Sequence, residues 1–313
     1  MIEPFTFRPV YQTRVWGGNS FRNSLNRDVP SSISPCGESW EIVDRPEAQS
    51  IVNTGSLKGL TLNELWCAHR EIIFGTNMPE SDRFPLLLKI LDCQQDLSIQ
   101  VHPPKKIAKR LEGEAKSELW YIMEAKPQAQ VYVGFKKRLT QKQFRTAIEQ
   151  GQVADTLNAI EPKTGEAIYL KSGRLHAIGA GLLIYEIQQN SDTTYRVFDW
   201  NRKDSNGKSR ELHIKESLQS INFNDVKPKM DPIINGSVGN CEFFKVTRET
   251  KTANEIICID RDQFSILSIL KGELKLANQT TFYRGDTIIV PCGNHSLTVL
   301  KDTQFLITTL KNN

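Results

Sequence analysis

The chain has 313 residues, 39% of them hydrophobic and 24% charged, with a formal net charge of +4. That balance supports a buried core and argues against a disordered or fibrous chain. Lys and Arg are spread rather than massed, which argues against a nucleic-acid partner. No apolar run is long enough to cross a bilayer, and the opening MIEPFTFRPVYQTRVWGG lacks the charged-then-apolar order of a signal peptide. Cys36, Cys67, Cys93, Cys241, Cys258 and Cys292 stand far apart with no CxxC pair. They read as small core residues or free thiols in a reducing cytoplasm, not as a disulfide framework.

The elements follow in chain order. TLNELWCAHREIIFG (61–75) reads as a helix, with Thr61 as N-cap and a closing glycine. Strands are expected at FPLLLKIL (84–91), DLSIQVH (96–102), ELWYIM (118–123) and QVYVGF (130–135), the last two joined by a turn at Lys126-Pro127. LTQKQFRTAIEQG (139–151) is helical, with Thr140 as cap and Phe144, Ala147 and Ile148 on one face. EAIYL (166–170) and LLIYEIQ (182–188) are further strands, and ELHIKESLQSI (211–221) a third helix. The polar stretch from Asn224 to Asn240 reads as a linker. From about 238 the pattern is purely β, with a hairpin turn expected at Lys271-Gly272-Glu273. Short strands between turn residues make the chain mainly β, a sandwich or barrel with helices packed on it.

One phrase occurs twice. GEAIYLKSGRLH (165–176) and GDTIIVPCGNH (285–295) both run glycine, acid, short apolar strand, turn glycine, histidine. Two barrels of common origin would produce it.

Three short phrases carry candidate metal chemistry. In Gln100-Val101-His102, alternation puts Gln100 and His102 on one face. Lys116-Ser117-Glu118 repeats that geometry, and His176 follows the glycine at a strand end. Each residue alone says little. Brought together in a barrel, two imidazoles, a carboxylate and an amide oxygen suit zinc, iron or manganese, and the absence of thiolates speaks against a purely structural zinc. His69 and His213 have no ligand-spaced partners and read as structural. His295 has no such phrases before it, so the second barrel is expected to be metal-free.

Charged residues surround these phrases. Lys89 interrupts FPLLLKIL and needs water or an anion. Glu186 sits within LLIYEIQQ, where a carboxylate needs a partner or a raised pKa, the property of a general base near neutrality. The polar run Gln188–Tyr195 leads to Arg196, as a cavity wall or a solvated loop. A dication with Glu118, Lys89, Lys116 and Arg196 makes a cationic pocket suited to a phosphate.

FPLLLKILDCQQDLSIQVHP, KSELWYI and above all SGRLHAIGAGLLIYEIQQNSDTTYRVFDW resemble the type I mannose-6-phosphate isomerases, in their short bacterial branch. RVWGG (14–18) and GESWEI (37–42) resemble that family's N-terminal phrases. The resemblance implies a double cupin: an N-terminal catalytic domain, 1–230, with a small helical insertion near 136–160, and a degenerate barrel, 231–313. It implies one zinc ion per chain held by Gln100, His102, Glu118 and His176. It places substrate contact on Lys89, Ser98, Lys116 and Arg196, with Asp192 beside them. The implied reaction interconverts mannose 6-phosphate and fructose 6-phosphate through an enediol, with Glu186 as base ahead of Lys116. The expected partner is a small hexose phosphate, with no nucleic acid or membrane, in a monomer or homodimer. Two alternatives use the same residues: a sugar-phosphate-binding cupin without turnover, and an iron-dependent cupin oxygenase.

Overall fold

A strand buried on both faces shows no alternation, and this explains why the longest apolar runs of the chain look uniform. The computed structural model describes residues 2–203 and 207–311. A six-stranded antiparallel sheet runs Ala167–Leu170, Glu118–Ala125, Leu182–Gln189, Leu86–Cys93, Cys36–Ile42 and Val10–Gly18 in spatial order. It faces a five-stranded sheet, Leu157–Ile160, Val131–Phe135, His176–Ile178, Ile99–Val101 and Tyr195–Phe198. Trp16, Leu91, Trp120, Ile122, Ile168 and Ile184 fill the space between the sheets with Val131, Val133 and Ile178. The intervening residues Leu88, Ile90, Leu119, Tyr121, Tyr185 and Ile187 point the other way, into a second core shared with Phe264, Ile266 and Leu306 of the C-terminal barrel.

That C-terminal barrel is one eight-stranded sheet built on two long bent strands, Ser265–Leu276 and Gly293–Leu310. Its edge includes the first strand of the chain, since Phe5 pairs with Ile289 and Thr6 with Ile288. The interior is filled by aliphatic and aromatic side chains, among them Ile259, Leu267, Ile269, Phe282, Leu297 and Phe305. The two barrels make a mainly β double cupin, as expected. The repeated phrase occupies matching places in both: each has a positive-φ glycine before the strand and another just before or at the start of the histidine-bearing strand (Gly165 and Gly173, Gly285 and Gly293).

Three local expectations change. The hairpin at Lys271-Gly272-Glu273 is absent: Ser265–Leu276 is a single strand whose register slips around these residues. Gly272 has φ +87° and lies so close to Thr303 that a Cβ would come within 2.3 Å of its hydroxyl. A glycine there marks a bulge that bends the strand around the barrel. The helix over 61–75 is two helices, Leu62–Ala68 and Arg70–Phe74, broken where His69 leaves helical geometry. Its start is as read, with Thr61 and Glu64 forming a capping box. The stretch 224–240 is not a free linker, because Val226 bridges to Phe135, Asp231 to Ala167, and Ser237–Asn240 is a strand. The helices Gln141–Glu149 and Ile214–Ser220 contribute Phe144 and Leu218 to the outer face of the five-stranded sheet.

The junction between barrels also holds buried polar groups. Arg27 Nη1 donates to Glu41 Oε1 at 2.7 Å and Nη2 to Glu41 Oε2 at 2.9 Å, while Nη2 also reaches the Gly285 carbonyl at 2.6 Å. Tyr185 shares hydroxyl hydrogen bonds with Thr287 at 2.8 Å and Ser268 at 2.7 Å. Removing one partner of a buried pair leaves the other charge uncompensated. Arg27→Met is therefore expected to destabilise the fold by about 3–5 kcal/mol, read as a lower midpoint in urea unfolding.

Candidate metal and sugar-phosphate site

The sheets bring the predicted metal residues together by register. His176 pairs directly with Gln100, and Arg196 pairs with Gln100 from the other side. Ile99, Val101 and Ala177 pack outward into the helix-covered core. On the facing sheet, Glu186 lies opposite both Lys89 and Trp120, and Gln188 lies opposite Glu118. One layer inside the first barrel is therefore polar, over apolar layers below it.

His102, Glu118 and His176 form the floor, each 2% exposed or less. Glu118 Oε2 lies 3.5 Å from His102 Nε2, and Oε1 lies 3.4 Å from His176 Nε2. Candidate donor atoms of the three fall within 4.8 Å of one another. His102 Nδ1 faces the Thr193 carbonyl at 2.7 Å and His176 Nδ1 the Arg174 carbonyl at 2.9 Å. A carbonyl can only accept, so each Nδ1 carries the proton and each Nε2 turns its lone pair inward. His102 Nε2 and both Glu118 oxygens lack a hydrogen-bond partner. Three buried acceptors converge here with the Lys116 ammonium beside one of them, 3.2 Å from Glu118 Oε2, an arrangement that fits a metal cation, and backbone-oriented imidazoles are the usual support for one. Gln100 stands beside them, its amide nitrogen 3.4 Å from His176 Nε2 and its oxygen accepting from Ser98 Oγ at 3.2 Å. A half-turn of the amide, which exchanges two atoms of nearly equal size, presents the oxygen instead.

Electrostatics agree with that donor set. Burial pushes the His176 imidazole down to about 3, and burial with the Lys116 ammonium lowers His102. Both rings are neutral, as ligands must be. Burial alone would raise the Glu118 carboxyl, but the Lys116 ammonium, 3.2 Å away, outweighs it and holds the group ionised.

Above the floor lies a cavity of about 380 Å³. Lys89, Ser98, Gln100, Lys116, His176, Glu186, Asp192 and Arg196 all line it. His102 and Glu118 lie beneath. Glu186 Oε2 accepts from Trp120 Nε1 at 2.9 Å, and Oε1 sits 3.8 Å from Lys89 Nζ, which is also 3.8 Å from Asp192 Oδ1. Burial, then the Glu118 carboxylate, raises the Glu186 pKa. The polar run is a brace as much as a wall. Gln188 Nε2 donates to the Ser191 carbonyl, Ser191 Oγ to the Glu114 carbonyl, and Thr193 Oγ1 accepts from Glu114 N–H. These bonds fix the Thr193 carbonyl that orients His102.

The strongly cationic pocket expected from sequence is tempered by carboxylates. Lys89 and Lys116 are each matched by carboxylates, and Arg14 grips Glu38 through two 3.1 Å bonds. Arg14, Trp16, Glu38, Trp120, Arg210 and His213 were not anticipated as lining residues. RVWGG and GESWEI were visible as phrases, but no chemistry pointed to them. His213, read as structural, reaches the cavity wall by pairing with Arg196: its N–H donates to the Arg196 carbonyl at 2.8 Å.

His102→Ala is expected to abolish retention of a divalent ion, measured as metal content after desalting, with the far-ultraviolet circular dichroism unchanged. A full metal complement in that variant would show that this floor is not the site.

Comparison with known proteins agrees with the geometry. Residues 5–128 match the phosphomannose isomerase type I catalytic domain. The chain is 37% identical to mannose-6-phosphate isomerase ManA of Bacillus subtilis, over 93% of this chain and 94% of that protein. It is 41% identical to the mannose-6-phosphate isomerase of Streptococcus mutans over 71% and 68% of the two chains. The crystal structure of the mannose 6-phosphate isomerase from Bacillus subtilis superposes with a TM-score of 0.87 at 33% identity, covering 98% of this chain and 99% of that one. On this fold, this cavity and these relatives, the chain belongs to the type I phosphomannose isomerase family.

Proposed function

We propose that the protein is a zinc-dependent aldose–ketose isomerase interconverting D-mannose 6-phosphate and D-fructose 6-phosphate through an enediol. The observation that carries this reading is a buried carboxylate, Glu186, lining the same cavity as the floor of unpartnered acceptors. Zinc held by Gln100, His102, Glu118 and His176 would supply Lewis acidity toward the sugar oxygens.

The remaining chemistry falls to side chains. While the hydroxyl proton of O2 passes to O1, Glu186 takes the proton from C2 of the open-chain aldose and returns it at C1. Its raised pKa moves it toward the range a base needs near neutrality. Trp120 Nε1–H holds one carboxylate oxygen and leaves the other for the proton. Lys116 is the weaker candidate for base. Burial lowers its pKa, but Glu118, Glu186 and Asp192 together raise it, so it remains an ammonium. As cations, Lys116 and Arg196 stabilise the oxygen that gains negative charge on the way to the enediol. Lys89, Ser98 and Asp192 hold the sugar. A cavity of about 380 Å³ suits one small ligand. We also place the enzyme in the cytoplasm, a reading supported by six free cysteines.

A coupled assay with mannose 6-phosphate tests the reaction: zinc-replete protein without turnover would sink it, and chelation should abolish activity that added zinc restores. Glu186→Gln is expected to lower kcat by about 10²–10⁴-fold while zinc content stays unchanged. Arg196→Ala should likewise cut turnover and keep the metal.

A further inference from the structure

A second cavity, of about 460 Å³, lies at the seam between the two barrels. It backs on the strand Glu118–Ala125 from the face opposite the metal floor: Trp120 packs inside the first barrel, whereas Tyr121 packs into the core that the barrels share. Tyr121 and Gly165 line the cavity from the first barrel. Arg248, Lys271, Arg284 and Gln304 line it from the second.

Its charge is one-sided. The three charged residues of the lining are all cations. Arg284 Nη2 donates to Glu124 Oε1 at 2.6 Å, a carboxylate outside the lining. Arg248 and Lys271 have no carboxylate within 4 Å among the described residues. Their acidic neighbours are engaged elsewhere, Glu249 by Lys251 and Glu273 by Lys301. Three cations therefore meet one carboxylate.

Arg248 is also held in place. Its Nη1 donates to the Gly165 carbonyl at 2.9 Å and to the Tyr121 hydroxyl at 3.3 Å. Tyr121 in turn donates to Gln304 Oε1 at 3.5 Å. These bonds use one nitrogen, and among the described residues Nε and Nη2 keep their N–H groups as donors. A half-buried guanidinium given only neutral acceptors keeps its charge uncompensated, which an anion would relieve. Buried Met123 and Leu270 add an apolar wall to the same cavity.

We infer that the seam is a second anion site, binding a phosphate group, free or esterified to a small metabolite, through Arg248 and Lys271. A planar guanidinium offers a phosphate paired N–H donors, and lysine adds a point charge. The volume is that of a small-molecule pocket, with Met123 and Leu270 placed to cover a carbon skeleton. The six-stranded sheet separates this site from the first-barrel cavity, so its occupant is not the reacting sugar. A ligand held by both barrels binds only the folded chain and stabilises it.

The test titrates inorganic phosphate and glycerol 3-phosphate by calorimetry, at fixed ionic strength, into full-length wild type, Arg248→Gln and Lys271→Gln. Wild type is expected to show a phosphate-binding event that Arg248→Gln weakens about tenfold and Lys271→Gln about threefold. In both variants kcat and KM for mannose 6-phosphate should stay within about twofold of wild type, which separates this event from any phosphate taken by the first-barrel cavity. Tighter binding of glycerol 3-phosphate identifies an esterified phosphate as the occupant, and tighter binding of inorganic phosphate the free ion. Identical titrations for the three proteins would overturn the assignment. So would a loss of turnover in step with phosphate binding, which marks a general disturbance of the fold. Arg248→Gln also removes the bond to Gly165. If circular dichroism shows that variant unfolded, Lys271→Gln, altered at an exposed side chain, decides alone: an unshifted titration overturns the site. Calorimetry needs no turnover, so the outcome is independent of the isomerase reading.

Discussion

A fully buried carboxylate between two neutral imidazoles is the constraint to which the first barrel answers. Taking Glu118 out of water costs several kcal/mol unless positive charge meets it. Lys116 supplies part of that charge, and the vacant oxygens and the His102 lone pair call for a cation. The imidazoles can serve only as neutral, aimed donors, which requires carbonyls of Thr193 and Arg174 at fixed positions. The Gln188–Thr193 brace and the turn before His176 exist in that geometry. Glu186 gains its proton affinity first from burial and then from the Glu118 charge. One buried group therefore shapes the metal floor, the ammonium beside it and the carboxyl above it.

Much of this was legible beforehand, and the reason is the period of a strand. Gln100 and His102 are two residues apart, as are Lys116 and Glu118, so each pair had to share a face. The structure puts all ten predicted site residues in or directly beneath one cavity. What alternation could not reveal was which faces would meet. Glu38 and Arg14 lie on adjacent strands far from the other lining residues in the chain, and Arg210 stands in a segment without periodicity. The charge balance failed for the same reason, since adding up cations along the sequence does not show that Glu186 and Asp192 flank Lys89.

The long strands of the second barrel misled in a different way. A glycine between charged residues is the usual mark of a hairpin, but Gly272 bends a strand that continues. The choice was made by tertiary contact, the close approach of Thr303, which no local pattern encodes. The same barrel supplies the outer wall against which the catalytic sheet is buried. Leu119, Tyr185 and Ile187 need Ile266 and Leu306 behind them, which ties the rigidity of one barrel to the presence of the other.

The two sides of the cavity differ in how they are anchored. The 190–194 loop presents Asp192 to the cavity and, one residue on, supplies the carbonyl that aims His102. A backbone shift in that stretch moves a lining carboxylate and the support of His102 together. The segment carrying Arg210 is docked through Arg196 and Asp199. The 207–213 side stands apart from the carbonyls of Thr193 and Arg174 that orient the two imidazoles. The cavity thus pairs a wall tied to its floor with one docked on its rim.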